Sequence, residues 1–414
     1  MILQKNEIEI MSPAGNFECL TAAIQGGADS VYFGVGNLNM RSRSANNFAI
    51  DDLHEIVERC GEKDVKTYLT VNTIMFDEDM AMMRELVDAV KDAGVSAVIA
   101  SDPATIMYAS AKGVEIHLST QINITNFESL RFYSQYADVA VLARELNLEQ
   151  VKCIYEQIVA NNLCGPRKKP VRLEMFAHGA LCMAVSGKCY LSLHEYNASA
   201  NRGSCYQVCR RSYIVTDKET GRELEVDNQY IMSPKDLCTI DFMDKMIDAG
   251  VRVFKIEGRA RSAEYVKTVT RCYSQAADAI VAGNYTPENI TAWKKALSSV
   301  FNRGFWDGYY LGKRLGEWSE IYGNKATKRK AYIGKVTNFF ANISVAEILI
   351  ESGELSLNDE ILIIGPTTGV MESTLKEIRV ELNQVDKSVK GEYCSIAVDN
   401  KVRRGDKLYK LLEN

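Results

Sequence analysis

Four of the chain's eleven cysteines, Cys182, Cys189, Cys205 and Cys209, fall close together as C-x6-C-x15-C-x3-C. Thiolates gathered at that density are soft donors that suit an iron–sulfur cubane or a tetrahedral zinc. Zinc usually takes paired C-x2-4-C knuckles, and only Cys205/Cys209 has that spacing, so the wide first interval is easier to reconcile with iron–sulfur. Spacing alone leaves both metals open, and leaves open the plainer possibility of small buried thiols. Gly179, Gly187 and Gly203 interleave with the four and let the backbone turn around a centre. Cys19, Cys60, Cys153, Cys164, Cys272 and Cys394 are isolated and read as ordinary core residues. Cys238, in SPKDLC ahead of a helix, is the one outside cysteine able to compete for the place of Cys209.

A frame of alternating elements must position these thiols. Short apolar runs occur at Glu9–Met11, Ser30–Phe33, Lys66–Val71, Ala97–Ala100, Glu115–Ser119, Val139–Leu142, Arg172–Phe176 and Val251–Ile256, most of them followed by a polar cluster and a helix-like stretch. That is the pattern of βα units around a parallel sheet. Eight units predict an α/β fold of the (β/α)8 TIM type, over residues 1–325, with its chemistry on the loops that follow the strands. The interval from about 177 to 250 is too long for a standard loop and becomes a cysteine-bearing insertion at that face. From residue 326 to 414 the style changes to short alternating strands with turn residues, which predicts a small C-terminal all-β barrel resembling the second domain of translation factors such as elongation factor Tu.

Hydrophobic residues make up 46% and charged residues 25% of the 414, and the net charge is −5. Those values fit a folded globular chain, and the overall charge does not by itself indicate a nucleic-acid binder. The amino terminus carries no basic start followed by a long apolar run, so a cytoplasmic, membrane-free protein with reduced thiols is expected.

The segment EMFAHGALCMAVSGKCYLS, Glu174 to Ser192, resembles the signature of the collagenase-like peptidase family of bacteria, with E-x-F-x-x-G ahead of C-x6-C-Y-L-S. SPAGN at 12–16, NMRSRSANNF at 39–48, VNT at 71–73, NRGSCYQVCR at 201–210, SPKDL at 233–237 and KIEGR at 255–259 extend the resemblance over the whole chain. Val208 and Arg211 depart from the proline and aromatic common at those places, which touches packing more than ligands. Better-understood relatives of that family carry a [4Fe-4S] cluster and hydroxylate without O2. One branch acts on ubiquinone precursors; another forms 5-hydroxyuridine at the wobble uridine of tRNA in a prephenate-dependent reaction. With its C-terminal barrel, this chain looks like the tRNA branch. The resemblance therefore implies iron–sulfur ligation by the four cysteines, prephenate as co-substrate, tRNA as partner and a paralogous family subunit as a further candidate partner.

Within that expectation, Arg41 and Arg259 are the leading groups for the donor's carboxylates, since guanidinium binds carboxylate in a bidentate fork. Arg43, Arg144 and Arg261 fall at the same face. Asn16, Asn72 and Gln121 end strands and could read a pyrimidine edge, or else cap loops. Glu174 and Glu257 are candidate acid/base groups or anchors for arginine, and His178 is a candidate proton carrier or a satisfied structural histidine. The basic runs at 165–170, 209–211, 325–330 and 401–407 could meet phosphates. Two alternatives remain: a peptidase using Cys182 or Cys189 beside His178, although His54, His117, His178 and His194 include no HExxH site, and a zinc-containing RNA-binding module.

Overall fold

The computed structural model of the chain describes residues 4–211, 213–226, 233–312, 316–319 and 323–414, with the backbone alone at 215 and 223–226. Seven strands follow one another in parallel: β1 (Glu9–Pro13), β2 (Ser30–Phe33), β3 (Lys66–Val71), β4 (Ala97–Ala100), β5 (Ile116–Leu118), β6 (Val139–Val141) and β7 (Arg172–Gly179). After a long excursion containing β8 (Tyr213–Thr216), β9 (Glu223–Val226) and β10 (Asp236–Cys238), the eighth barrel strand β11 (Val251–Ile256) pairs with β7 on one side and β1 on the other. The ring is closed, and the expected (β/α)8 barrel is observed.

Each strand is buried on both faces, so its residues sort by alternation. In β2, Val31 and Phe33 join the large apolar cluster shared with the helices, while Tyr32 turns inward with Met11, Tyr68, Ala97, Ile99, Val139 and Val253. The outer helices are α1 (Phe17–Gln25), α2 (Leu53–Gly61), α3 (Met80–Ala93), α4 (Pro103–Ala111), α5 (Phe127–Tyr133) and α6 (Leu148–Ala160). A short α7 (Leu191–Tyr196) lies in the excursion, and α8 (Met243–Asp248), α9 (Ala263–Ala282) and α10 (Pro287–Ser299) complete the set. Their starts follow local chemistry: Asn16, Asp102, Asn126 and Asn147 each accept a backbone N–H of the first turn.

The seventh strand runs further than its apolar core suggests, to Gly179, because β10 adds antiparallel to its end, with Leu237 opposite Gly179 and Cys238 opposite His178. The stretch FNRGFWDGYYLG contributes a two-residue strand β12 (Phe305–Trp306) alongside β10.

The remainder is antiparallel. Strands β13 (Lys328–Phe340), β14 (Val345–Ile350), β15 (Glu354–Ser356), β16 (Glu360–Gly365), β17 (Gly369–Thr374), β18 (Ile378–Val380), β19 (Asn383–Val385), β20 (Lys387–Val389), β21 (Tyr393–Ala397) and β22 (Lys407–Glu413) form an eight-stranded sheet and a β15–β20 ribbon around one core. This lobe lies against α1 and α9. Strand β16 explains the contact by alternation: Ile361 and Ile363 enter the lobe's own core, and Leu362 and Ile364 enter the barrel's cluster. Gln25 of α1 donates to the Thr368 carbonyl at 2.8 Å and accepts from the Val370 amide at 2.9 Å. Gly369 between them sits at φ +65°, and a Cβ there would lie 2.4 Å from the Gln25 carbonyl oxygen. Among the described residues no helix is long and apolar enough to cross a membrane.

Candidate functional site

The C-terminal ends of the barrel strands open into a cavity of about 360 Å3, roofed by the excursion after β7. All four clustered cysteines line it. The roof is held by specific contacts. Arg202 grips Asp79 at the start of α3 at 2.6 and 3.2 Å and lies over the Phe76 ring, and Arg43 lies 3.4 Å over the Tyr206 ring. Gly203, at φ +82°, presses so close to the β2 loop that a Cβ would lie 2.3 Å from the Asn39 carbonyl. Arg210, next to Cys209, reaches back to the Leu181 carbonyl beside Cys182 at 2.7 Å, joining the two halves of the cysteine set.

Burial pushes the Cys209 thiol up to about 11; neighbouring Arg210 opposes this, while Cys182, Cys205 and Cys189 each add to it, an influence that requires the four to be near one another. The Gln207 amide points at the Cys205 sulfur at 3.4 Å. Among the described residues, no three His, Cys, Asp or Glu side chains converge on a position for one ion. Cys238 is buried behind β7 near the Tyr273 hydroxyl and does not line the cavity.

The rest of the wall is cationic. Arg41, Arg144, Arg210, Lys255, Arg259, Arg261 and Arg303 line it, against Glu257 as the carboxylate in the lining. Arg41 donates to Glu257 Oε1 from Nε at 3.0 Å and from Nη2 at 2.7 Å. Burial alone would raise the Glu257 carboxyl, but Arg41, Arg144 and Arg259 hold it down at about 2, so it stays ionised. Arg259 is buried, its Nη1 donating to Asn39 and Thr70, and desolvation lowers it to about 10. Arg144 stacks 3.8 Å over Phe176 and its Nε is buried without a hydrogen-bond partner. Among the described residues Arg144, Arg259 and Arg261 form no ion pair within 4.0 Å. On the far wall Asn72 donates to Ser119 Oγ at 3.1 Å and to Gln121 at 3.4 Å, and accepts the Met40 amide at 3.2 Å.

Of the residues singled out from sequence, the structure therefore brings Arg41, Asn72, Gln121, Glu257, Arg259 and the four cysteines to one cavity. Three others stand elsewhere. Asn16 caps α1 through the Cys19 amide. Glu174 is fully buried inside the barrel, 2.7 Å from the Lys255 ammonium. His178 is buried among Tyr265, Tyr273 and Phe305, and desolvation together with Arg261 drops its pKa to about 3, so it is a neutral ring at physiological pH. The basic run at 165–170 precedes β7 and lies at the opposite end of the barrel, where Arg167 pairs with Glu115. Residues missed by sequence reasoning are Tyr32, Phe176, Lys255 and Arg303, and Arg210, read as part of a basic run for phosphates, lines the cavity. Lys255 is a lysine inside a mostly apolar strand, an oddity that its buried partner Glu174 explains.

A closed (β/α)8 barrel with a cation-lined mouth under a cysteine-bearing roof has the build of a barrel enzyme. The chain belongs to Peptidase family U32, whose profile matches residues 15–320. It is 62% identical over 405 residues to a protein of Porphyromonas gingivalis W83 named Collagenase, covering 98% of both chains. It is 33% identical over 381 residues to tRNA hydroxylation protein P1 of Bacillus subtilis 168, covering 89% of this chain and 86% of that one. A third relative, the 23S rRNA 5-hydroxycytidine C2501 synthase of Escherichia coli K12, is 31% identical over 388 residues, which span 90% of this chain and 56% of that one.

Proposed function

We propose that this protein hydroxylates the wobble uridine of tRNA to 5-hydroxyuridine, without O2, using prephenate and a [4Fe-4S] cluster held by Cys182, Cys189, Cys205 and Cys209. The observation that carries the reading is the cavity itself: four thiols on one wall, arginines without carboxylate partners on another, and no histidine among its described lining residues. A cysteine peptidase needs a thiol beside a base, and His178 faces away from the cavity as a buried neutral ring. The names of the Bacillus and Escherichia relatives support action on an RNA base.

The donor set suits a cluster. Four thiols surround shared space without converging on one ion, and an amide points at the Cys205 sulfur, as backbone donors do at iron–sulfur thiolates. When bound, that cluster supplies electron transfer at the cavity wall. Arg144, Arg259 and Arg261 bind the two carboxylates of prephenate, gaining the direct carboxylate contact that none of them makes among the described residues. Glu257 keeps Arg41 oriented. Asn72 and Gln121, tied together through Ser119, present amides to the edge of an unstacked pyrimidine. The lobe at 328–413 offers Arg403 and Arg404 on its exposed surface for phosphates of the tRNA body.

Nucleoside mass spectrometry of tRNA from a deletion strain tests this reading directly. Loss of 5-hydroxyuridine, restored by the gene, is expected; unchanged modification would overturn it. The Collagenase name of the Porphyromonas relative favours the peptidase alternative, which gains support if the anaerobically purified protein cleaves peptides while tRNA modification is unaffected. Stoichiometric zinc in a colourless preparation would point to the RNA-binding module.

A further inference from the structure

Beneath the cavity a line of ionisable groups runs down the barrel axis beside the interior apolar cluster of Met11, Ile99, Val139 and Val253. Lys255 on β11 lines the cavity floor, and its Nζ lies 2.7 Å from Glu174 Oε1 on β7. The other oxygen of Glu174 has no hydrogen-bond partner and stands 3.8 Å from His117 Nδ1 on β5. On the far side of that ring, Nε2 is 3.4 Å from Glu115 Oε1, at the lower rim, where the Glu115 side chain is 16% exposed and Arg167 covers it. Both His117 nitrogens lack a hydrogen-bond partner although the side chain is 1% exposed. Leaving several polar atoms of one buried chain unmatched costs stability. Their spacing, each within about an ångström of hydrogen-bond contact with the next, joins the cavity to solvent at the opposite end of the barrel.

The cavity needs such a chain for a reason its composition gives. Arginine does not release protons at working pH, Glu257 is fixed as a carboxylate, and no histidine is in the described lining. Outside the cysteine set, Lys255 is the lining cation able to hand over a proton.

We infer that Lys255 is the proton donor of the cavity and that Glu174, His117 and Glu115 form the path that reloads it from the barrel's lower face. This rests on the catalytic reading above and adds to it the source of the proton. The steps balance without any redox partner. The Lys255 N–H bond breaks as a bond to the proton forms on the reacting group; Glu174, which burial would raise but Lys255 and His117 hold below its usual range, carries a proton only in passing and hands it to the amine. His117 re-protonates Glu174, and Glu115, in exchange with water, re-protonates His117. Net, one proton moves from solvent to the cavity and no electrons move.

The groups facing His117 are Glu9 on β1, Lys66 and Tyr68 on β3, Glu115 below it, Asp138 beside β6, Arg167, and Arg172 and Glu174 on β7, with Lys255 beyond. Burial favours the neutral ring, but Glu115, Glu174 and Glu9 outweigh it and raise the His117 pKa. A path through this ring therefore stays loaded to a higher pH than an ordinary imidazole would allow and empties as pH rises further.

The test uses the full chain purified anaerobically with its natural centre. Wild-type turnover of tRNA is established first, so that failure there falls on the proposed function and not on the path. Lys255→Arg keeps the charge and the contact with Glu174 but holds its protons; product formation is expected to fall by about 100-fold or more, with KM for tRNA unchanged. His117→Gln and Glu115→Gln are expected to slow turnover about tenfold on the acid side, where the wild-type path is loaded, and to converge on wild type as that path empties at higher pH. Titration of the four histidines by NMR in wild type and Glu115→Gln supplies a readout independent of turnover: the highest-titrating ring should move down in the variant. Lys255→Arg turnover within threefold of wild type, or pH profiles of the His117 and Glu115 variants parallel to wild type, would overturn the path.

Discussion

Glu257→Gln removes the carboxylate that neutralises the cavity's cations, and its cost can be worked out from the site. A carboxyl drawn from 4.5 to about 2 corresponds to about 3 kcal/mol of folded-state preference for the charged form. A second route gives a similar figure: removing one partner of a buried ion pair costs about 3–5 kcal/mol, and the Arg41 side chain, 29% exposed, can turn partly toward water, which favours the lower end. The sign follows from the direction of the shift. The folded pKa lies below the unfolded one, so the contribution is complete well above 4.5 and is lost as pH falls toward 2. Integrated, about 0.2 kcal/mol is missing at pH 5 and about 0.8 at pH 4. Guanidinium denaturation of wild type and variant, followed by tryptophan fluorescence, should show a deficit of about 3 kcal/mol at pH 7, little changed at pH 5 and narrowed at pH 4. A deficit below about 1 kcal/mol at pH 7, or one already gone at pH 5, would refute the electrostatic account of the cavity.

Cys238→Ala should leave iron and sulfide per chain unchanged while Cys209→Ser lowers both, as elemental and sulfide analysis would register; the reverse order would return Cys238 to the ligand set. Gly203→Ala places a methyl against the Asn39 carbonyl at a left-handed backbone position, so the roof should lift at a cost of more than about 1 kcal/mol. Faster reaction of Cys205 with a thiol reagent reports it, and an unchanged rate would show that the roof is not seated there. His178→Gln should leave the pH–rate profile in place between about pH 5 and 8, because the ring is neutral throughout; loss of a limb would make it a proton carrier after all.

The barrel was legible because its strands are buried on both faces and so appear as continuous apolar runs, which placed all eight within a few residues of their observed positions. The cysteine set was legible from spacing and resemblance. The polar half of the site was harder to read, for physical reasons. Asn16 has the residue type of a reader of bases and the position of a helix cap, and only the Cys19 amide decides between them. His178 follows an apolar run closely enough to suggest the barrel mouth, yet β10 extends the ladder over it and seals it in. Lys255 was hidden by its neighbours, since a lysine inside an apolar strand becomes meaningful only when Glu174, far away in sequence, is placed against it.

The chain leaves the barrel at Gly179 and returns through β10, which pairs with that same Gly179 and with His178. The roof is thus a purse drawn shut at one point, its neck tied by barrel hydrogen bonds rather than by any metal. Removal of the proposed cluster should loosen the purse and spare the neck: chelation is expected to disorder the cysteine loops while circular dichroism and the melting of the barrel stay near the values measured before chelation. Under the proposed function, damage to that cluster by oxygen would be local and repairable, with the empty roof ready to receive a new cluster without the barrel refolding.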